Sequence, residues 1–322
     1  MIWTDIRQLR IEGQGWTDTK APFDRLPGRA EGVVREAVWN LSRHSAGLCV
    51  KFVTDAQQIH GRWSLTNESL AMSHMPATGV SGLDLYIDTP DGPRWAGVGV
   101  PAFFPQTEAS LVAGMAEGVK SCTVYLPLYN GVSAVEIGVP EGASIHAAEP
   151  TPGRKTVVFY GTSITHGASA SRTGTNHVAI VGRQLDCATI NLGFSGNGVM
   201  EPEVAGFLAE LDPDLFVVDC LPNMTADLVS ERTAPLVQQI RSSRSQTPIL
   251  LVEDRTYADT TFVVSRRQRN ESSRAALRQV HAELEKEGVG GLHYLEGTTL
   301  LGEDRDDTVD GSHPTDLGFR LG

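Results

Sequence analysis

With 322 residues, the chain holds enough material for two domains, or one large one, around a substantial core. Apolar residues make up 40% and charged residues 20%, an ordinary globular balance. A formal net charge of −12 leaves no basic stripe to neutralise phosphates and argues against a nucleic-acid partner. No apolar run approaches the roughly 18 residues of a membrane span, so no membrane partner is expected. The opening Met-Ile-Trp-Thr-Asp-Ile-Arg lacks a basic segment followed by an apolar one, the pattern of a secretory signal. Cys49, Cys122, Cys187 and Cys220 are scattered, without a CxxC pair, and fit buried free thiols of a reducing compartment. A cytoplasmic protein is expected.

Residues 1 to about 30 read as irregular, broken by Gly13, Gly15, Pro22, Pro27 and Gly28. From Val33 to about Ile145, short apolar runs such as Cys49–Val53, Ile59–Leu65 and Leu83–Ile87 alternate with period two and show no helical stripe. Turn residues such as Thr89-Pro90-Asp91-Gly92 divide them. An all-β, jelly-roll-like sandwich over residues 1–150 follows. Trp3, Trp16, Trp39, Trp63 and Trp95 all fall within it. An aromatic platform for a sugar or acyl ligand is one reading of them. The area that each ring buries favours core and edge cover of the sandwich for most.

Glu149-Pro150-Thr151-Pro152-Gly153-Arg154-Lys155 reads as a hinge to a second domain, 151–322. There the texture changes to strands at 156–160, 188–192, 215–219, 249–252 and 292–295. Helical stretches at 177–185, 202–211, 226–243 and 266–287 lie between them. This alternation predicts a parallel sheet with helices on both faces. The closing Gly318-Phe319-Arg320-Leu321-Gly322 reads as the opening of a last helix, and a clipped sequence is expected.

Four loops following strand C-termini carry the chemistry. They hold Ser163, the run Asn191–Gly198, Pro222-Asn223, and Asp310-Gly311-Ser312-His313. In an open α/β sheet such loops lie on one edge and converge. Acyl transfer needs a nucleophile, a base, a group that orients the base, and donors for the oxyanion. Ser163 can be the nucleophile, His313 the base, and Asp310 the carboxylate that fixes the imidazole tautomer. Backbone N–H groups of Gly196 and Ser163 and the Asn223 amide can form a three-donor hole, each donor worth about 3 kcal/mol at the transition state. Taken singly, Gly161-Thr162-Ser163 is an ordinary turn, Asn223 a turn former, and Asp-x-x-His weak. The glycine run has a spacing reversed from a dinucleotide fingerprint and follows the wrong strand. Specificity comes from the order of the set.

On these blocks the second half, about residues 154–322, resembles the SGNH (GDSL-like) hydrolase family. The resemblance implies a flavodoxin-like three-layer α/β/α fold, with Ser163, Gly196, Asn223 and His313 as the name-giving residues and Asp310 as the triad acid. The first half is similar to the β-sandwich that precedes such a domain in one subgroup, on Gly82-Leu83-Asp84-Leu85-Tyr86. Two departures stand out: Thr162 replaces the aspartate of the Gly-Asp-Ser block, and Thr165 replaces the second glycine of a Gly-x-Ser-x-Gly elbow.

The expected function is a serine esterase acting on small O-acyl esters, foremost O-acetyl groups of carbohydrate, through an acyl-enzyme on Ser163. An acyltransferase using the same intermediate is the alternative, and a non-catalytic carbohydrate-binding protein is a third reading. No cofactor and no metal are expected, since no ligand spacing is present. A homo-oligomer is compatible with the sequence. His166 and His177 read as core or surface histidines that could line the pocket. Arg172 reads as a substrate contact or a salt bridge, and Glu253-Asp254-Arg255 as a structural ion pair behind the catalytic loop.

Overall fold

A computed structural model describes residues 1–321. The first half is a sandwich of two antiparallel sheets. Its strands are β1 (Ile2–Asp5), β2 (Arg10–Glu12), β3 (Cys49–Thr54), β4 (Gln58–Leu65), β5 (Leu83–Thr89), β6 (Gly92–Gly99), β7 (Gln106–Ala113), β8 (Lys120–Tyr125), β9 (Val132–Val139) and β10 (Ile145–Ala147). One sheet has the order β1-β9-β4-β7 and the other β10-β3-β8-β5-β6, with β2 beside β3. Apart from the neighbours β2–β3 and β5–β6, successive strands change sheets in the jelly-roll manner. Strand β4 shows why: every second residue from Ile59 to Leu65 is buried, facing a core of Phe52, Trp63, Leu83, Val124 and Ile137.

The opening residues are less irregular than expected. Ile2–Asp5 pairs with Gly138 and its neighbours, and Arg10–Glu12 with Cys49–Lys51. Both strands are too short to show an alternation and form because distant partners offer an edge. A helix, α1 (Glu36–Ser42), also stands where only strands were expected. Its signal was present as Val34, Val38 and Leu41 at helical spacing.

The second half carries five parallel strands: β11 (Thr156–Gly161), β12 (Ala188–Gly193), β13 (Leu215–Asp219), β14 (Ile249–Val252) and β15 (Leu292–Leu295). Their order, β12-β11-β13-β14-β15, is the flavodoxin-like one. Successive side chains divide between faces. Val158, Tyr160, Phe216 and Val218 pack with Val204 and Leu208, with Leu236 and Ile240, and with Leu277 and Val280. These partners come from α5 (Pro202–Glu210), α6 (Ala226–Ser243) and α7 (Val264–Lys286), as numbered after the short α2 (Ala77–Val80), α3 (Ser163–His166) and α4 (His177–Gln184). Val157, Phe159 and Val217 pack on the other face with Val178 of α4.

The two halves interpenetrate. Trp16, Leu26, Ala30, Val34, Val38 and Trp39 belong to the core of the α/β half, not to that of the sandwich. This corrects the sandwich role expected for those two tryptophans; Trp63 does fill the sandwich, and Trp95 is 51% exposed. The Trp16 indole N–H donates to Glu210 across the boundary at 2.8 Å. Arg25, fully buried, donates to the carbonyls of Leu41 and His44 and to those of Asn191 and Gly193 at the end of β12.

The Gly-x-Asp-Leu-Tyr motif is a second clasp. Leu83 and Leu85 point into the sandwich core. Between them the buried Asp84 accepts from Arg172 at 2.7 and 2.8 Å, from the Gly174 N–H at 3.0 Å and from the Trp95 indole at 2.9 Å. Burial pushes its carboxyl above the usual range in spite of Arg172 beside it. Arg172 is therefore a structural partner of the sandwich. No helix of the described residues is long and apolar enough to cross a membrane, and all four cysteines are buried and unpaired.

Candidate active site

Strand β11 ends at Gly161, and the chain turns directly into α3. Thr162 is the N-cap: its Oγ1 accepts from the Ile164 N–H at 3.3 Å, and it is fully buried. It fills with a local cap the position where the family motif has aspartate. Ser163 thereby stands at the first helical position, where a backbone N–H has no intrahelical acceptor. Its carbonyl is also engaged, accepting from the Tyr129 hydroxyl at 3.2 Å.

Ser163 Oγ lies 2.8 Å from His313 Nε2. On the far side of the ring, His313 Nδ1 lies 2.7 Å from Asp310 Oδ2. Asp310 Oδ1 accepts from the backbone N–H groups of Ser312 (3.0 Å) and His313 (2.8 Å). Desolvation pushes the Asp310 carboxyl up, but the His313 N–H, the His313 ring and the Ser312 N–H together outweigh it and hold it down at about 2. An ionised Asp310 can only accept, so Nδ1 carries the proton and Nε2 is free to take one from Ser163.

The loop after β12 closes over this end of the sheet. The Phe194 N–H donates to the Gly161 carbonyl at 2.9 Å. Gly198 lies so close that a Cβ there would collide with the same carbonyl oxygen. Gly196 has φ +69°, a left-handed conformation that glycine adopts without strain. Asn223 ends a 3-10 turn after β13. Its amide satisfies its neighbours when Oδ1 accepts from the N–H groups of Asn197 (3.1 Å) and Gly198 (3.3 Å), which leaves Nδ2 as the donor. Hydroxyl, ring nitrogen and carboxylate thus meet in one line from two loops, and a third loop sets the Asn223 amide against the Gly196–Gly198 turn, the parts that acyl transfer needs.

Other residues singled out from the sequence have structural places. His166 is fully buried and stacks on Tyr129 at 4.1 Å. His177 stacks on Phe319 of α8 (Asp316–Leu321) at 5.7 Å. Glu253, Asp254 and Arg255 do not pair among themselves. Arg255 meets Asp219 at 3.2 Å, Glu253 meets Arg278 at 2.7 Å, and Asp254 accepts from Asn270 at 3.1 Å. The sandwich also contributes residues that no local pattern announced: the His74 ring lies 6.1 Å from that of His313. Among the described residues no group of His, Cys, Asp and Glu is placed to hold a metal ion.

A site of this kind on a flavodoxin-like sheet defines a serine hydrolase. Residues 154–321 match the family described as GDSL-like lipase/acylhydrolase, and residues 1–145 match the N-terminal domain of SGNH hydrolase-type esterases. The chain belongs to the GDSL-like lipase/acylhydrolase family. Among solved structures it is similar to a protein of Bacteroides ovatus described as a GDSL-like lipase, with 34% identity over 99% of this chain and 94% of that one, at a TM-score of 0.94. The same fold over both halves occurs in the salicylyl-acyltransferase SsfX3 of a tetracycline biosynthetic pathway, with 18% identity, coverage of 99% and 94%, and a TM-score of 0.80. A family two carbohydrate esterase of Clostridium thermocellum shares it more loosely, with 13% identity, coverage of 86% and 89%, and a TM-score of 0.60. No curated protein matches the chain by sequence.

Proposed function

We propose that the protein is a serine esterase that removes small acyl groups, foremost acetyl, from the hydroxyls of a carbohydrate or similar alcohol. The observation that carries this reading is the unbroken line from Ser163 Oγ through His313 to Asp310, at 2.8 and 2.7 Å. Ser163 Oγ attacks the ester carbonyl while its proton passes to His313 Nε2. The new C–O bond forms as the carbonyl π electrons move onto oxygen. The Ser163 and Gly196 N–H groups and Asn223 Nδ2 receive that oxyanion. Collapse breaks the bond to the alcohol, which leaves with the proton from Nε2. Water then repeats the sequence on the acyl-enzyme, and the acid and Ser163 are released.

The carbohydrate part of the reading draws on the carbohydrate esterases, which join the same two architectures in one chain. Turnover of p-nitrophenyl acetate tests the reaction. Ser163→Ala should lower kcat by about 10⁴-fold or more and abolish labelling by a fluorophosphonate. Undiminished turnover by that variant would overturn the mechanism. Transfer of the acyl group to an added alcohol in preference to water would reassign the same intermediate to an acyltransferase.

A further inference from the structure

Beside the Ser195–Asn197 loop lies a cavity of about 420 Å³, walled by both halves of the chain. Asn67, Ser69 and Met72 come from the sandwich, Tyr129 from the strap before β9, and Ser195 and Asn197 from the loop that brackets Gly196. No Asp, Glu, Lys or Arg lines it. A volume of this order suits a small ligand, whereas an acetyl group would leave most of it empty. The single ionisable ring in its wall, apart from the Tyr129 phenol, is that of His44.

The protonation of His44 follows from its neighbours. His166 Nε2 lies 2.7 Å from the Leu128 carbonyl oxygen. A carbonyl can only accept, so His166 Nε2 carries a proton. The same nitrogen lies 3.4 Å from His44 Nδ1. With that proton given to Leu128, His166 Nε2 has no lone pair to accept another, so a proton on His44 Nδ1 would meet no acceptor there and His44 Nδ1 presents its lone pair. A neutral His44 then holds its proton on Nε2. Burial first, and the Arg25 guanidinium second, push the His44 imidazole down to about 3. Arg25 also fixes the backbone here, since its Nε donates to the His44 carbonyl at 2.9 Å. His166 in turn is clamped by its stack on Tyr129.

We propose that the His44 Nε2–H is a specificity-determining donor of this cavity, which takes a neutral, ring-sized alcohol group bearing a hydrogen-bond acceptor, such as a pyranose oxygen. The inference rests on the reading of Ser163 as the nucleophile of an esterase with a small acyl group; the cavity adjoins that centre through Ser195 and Asn197, which flank Gly196, and through Tyr129, whose hydroxyl donates to the Ser163 carbonyl. An uncharged wall offers nothing to offset the desolvation of an ammonium or a carboxylate. The donor rewards an ether or hydroxyl oxygen over a methylene.

The test compares tetrahydropyran-4-yl acetate with cyclohexyl acetate, which differ by one ring oxygen. The wild type should prefer the oxygen-containing ester by about tenfold in kcat/KM. His44→Leu should bring that ratio close to one, and His44→Gln, which keeps an N–H donor, should retain most of it. An unchanged ratio in His44→Leu overturns the proposal. In a second arm, 3,3-dimethylbutyl acetate should outperform its cationic isostere acetylcholine by about tenfold or more; a preference for acetylcholine overturns the neutral assignment. In a third arm, ¹⁵N NMR of histidine-labelled protein reads the ring directly, with His44→Gln assigning the signal. A proton on His44 Nδ1 overturns the proposal whether or not any ester is turned over. If turnover persists in Ser163→Ala, it is the esterase reading that fails, and the NMR arm still decides the state of His44.

Discussion

Ser163 Oγ and His313 Nε2 stand 2.8 Å apart although 150 residues separate them in the chain. Each residue is held by its own turn, and the sheet brings the two turns together. Ser163 is placed by the end of β11 and its Thr162 cap. His313 is placed by an Asp310 whose carboxylate grips both the ring and the backbone of the same turn. The reacting pair therefore exists only when the sheet is complete, and its parts can be tested one at a time.

Replacing Asp310 by Asn removes the acceptor that selects the His313 tautomer. Activity toward p-nitrophenyl acetate should fall by about 10²- to 10⁴-fold. The same variant carries a stability signature. The Asp310 carboxyl lies at about 2 in the folded protein, below its ordinary 3.8. Its contribution is fully present above the unfolded value and is lost as pH falls through about 2. The gap in urea midpoint between wild type and Asp310→Asn should accordingly be widest at pH 5–7 and narrow toward pH 2.

Asn223→Ala should lower kcat by about 10²- to 10³-fold with little change in KM, because in the proposed mechanism the lost donor acts on an oxyanion that exists only in the transition state. A KM rise of that size at constant kcat would place Asn223 in ground-state binding instead.

Gly198→Ala puts a methyl group against the Gly161 carbonyl oxygen, in the turn that leads to Ser163. Because backbone meets backbone there, the loop must shift. Turnover should fall at least about tenfold, the scale of an ångström-sized misplacement. Gly196→Ala meets nothing within 4 Å and is strained only through its φ of +69°. Its defect should appear as lower stability, by about 1 kcal/mol, as well as lower rate.

Arg25→Met leaves four carbonyls, on Leu41, His44, Asn191 and Gly193, without their buried donor. A loss of about 3–5 kcal/mol in unfolding free energy is expected, read from urea melts monitored by tryptophan fluorescence.

The α/β half was legible because its strands are buried on both faces and read as continuous apolar runs. Thr156–Tyr160 and Leu215–Asp219 fall within or on the observed strands. The four site loops were legible because that topology forces strand ends together. What escaped was the work of residues 13–45. Trp16 and Trp39 are buried by a sheet that begins at Thr156, and no local pattern distinguishes that from burial in a sandwich. Arg25, His44 and His74 were equally hidden, since each acts through partners more than a hundred residues away. The Asp84 clasp was visible only as a signature; its partner Arg172 lies 88 residues downstream.

The strap that carries Trp16, Leu26, Val34, Val38 and Trp39 leaves the ribosome long before the surface it covers has been made. Until Phe216 and the helices around it emerge, those side chains have only water or a chaperone to meet, although the sandwich between them is already complete in sequence. Synthesis thus leaves a half-built molecule with an apolar ribbon at its front. The surface that buries the ribbon, Phe207 of α5 among it, comes only with the second half of the chain.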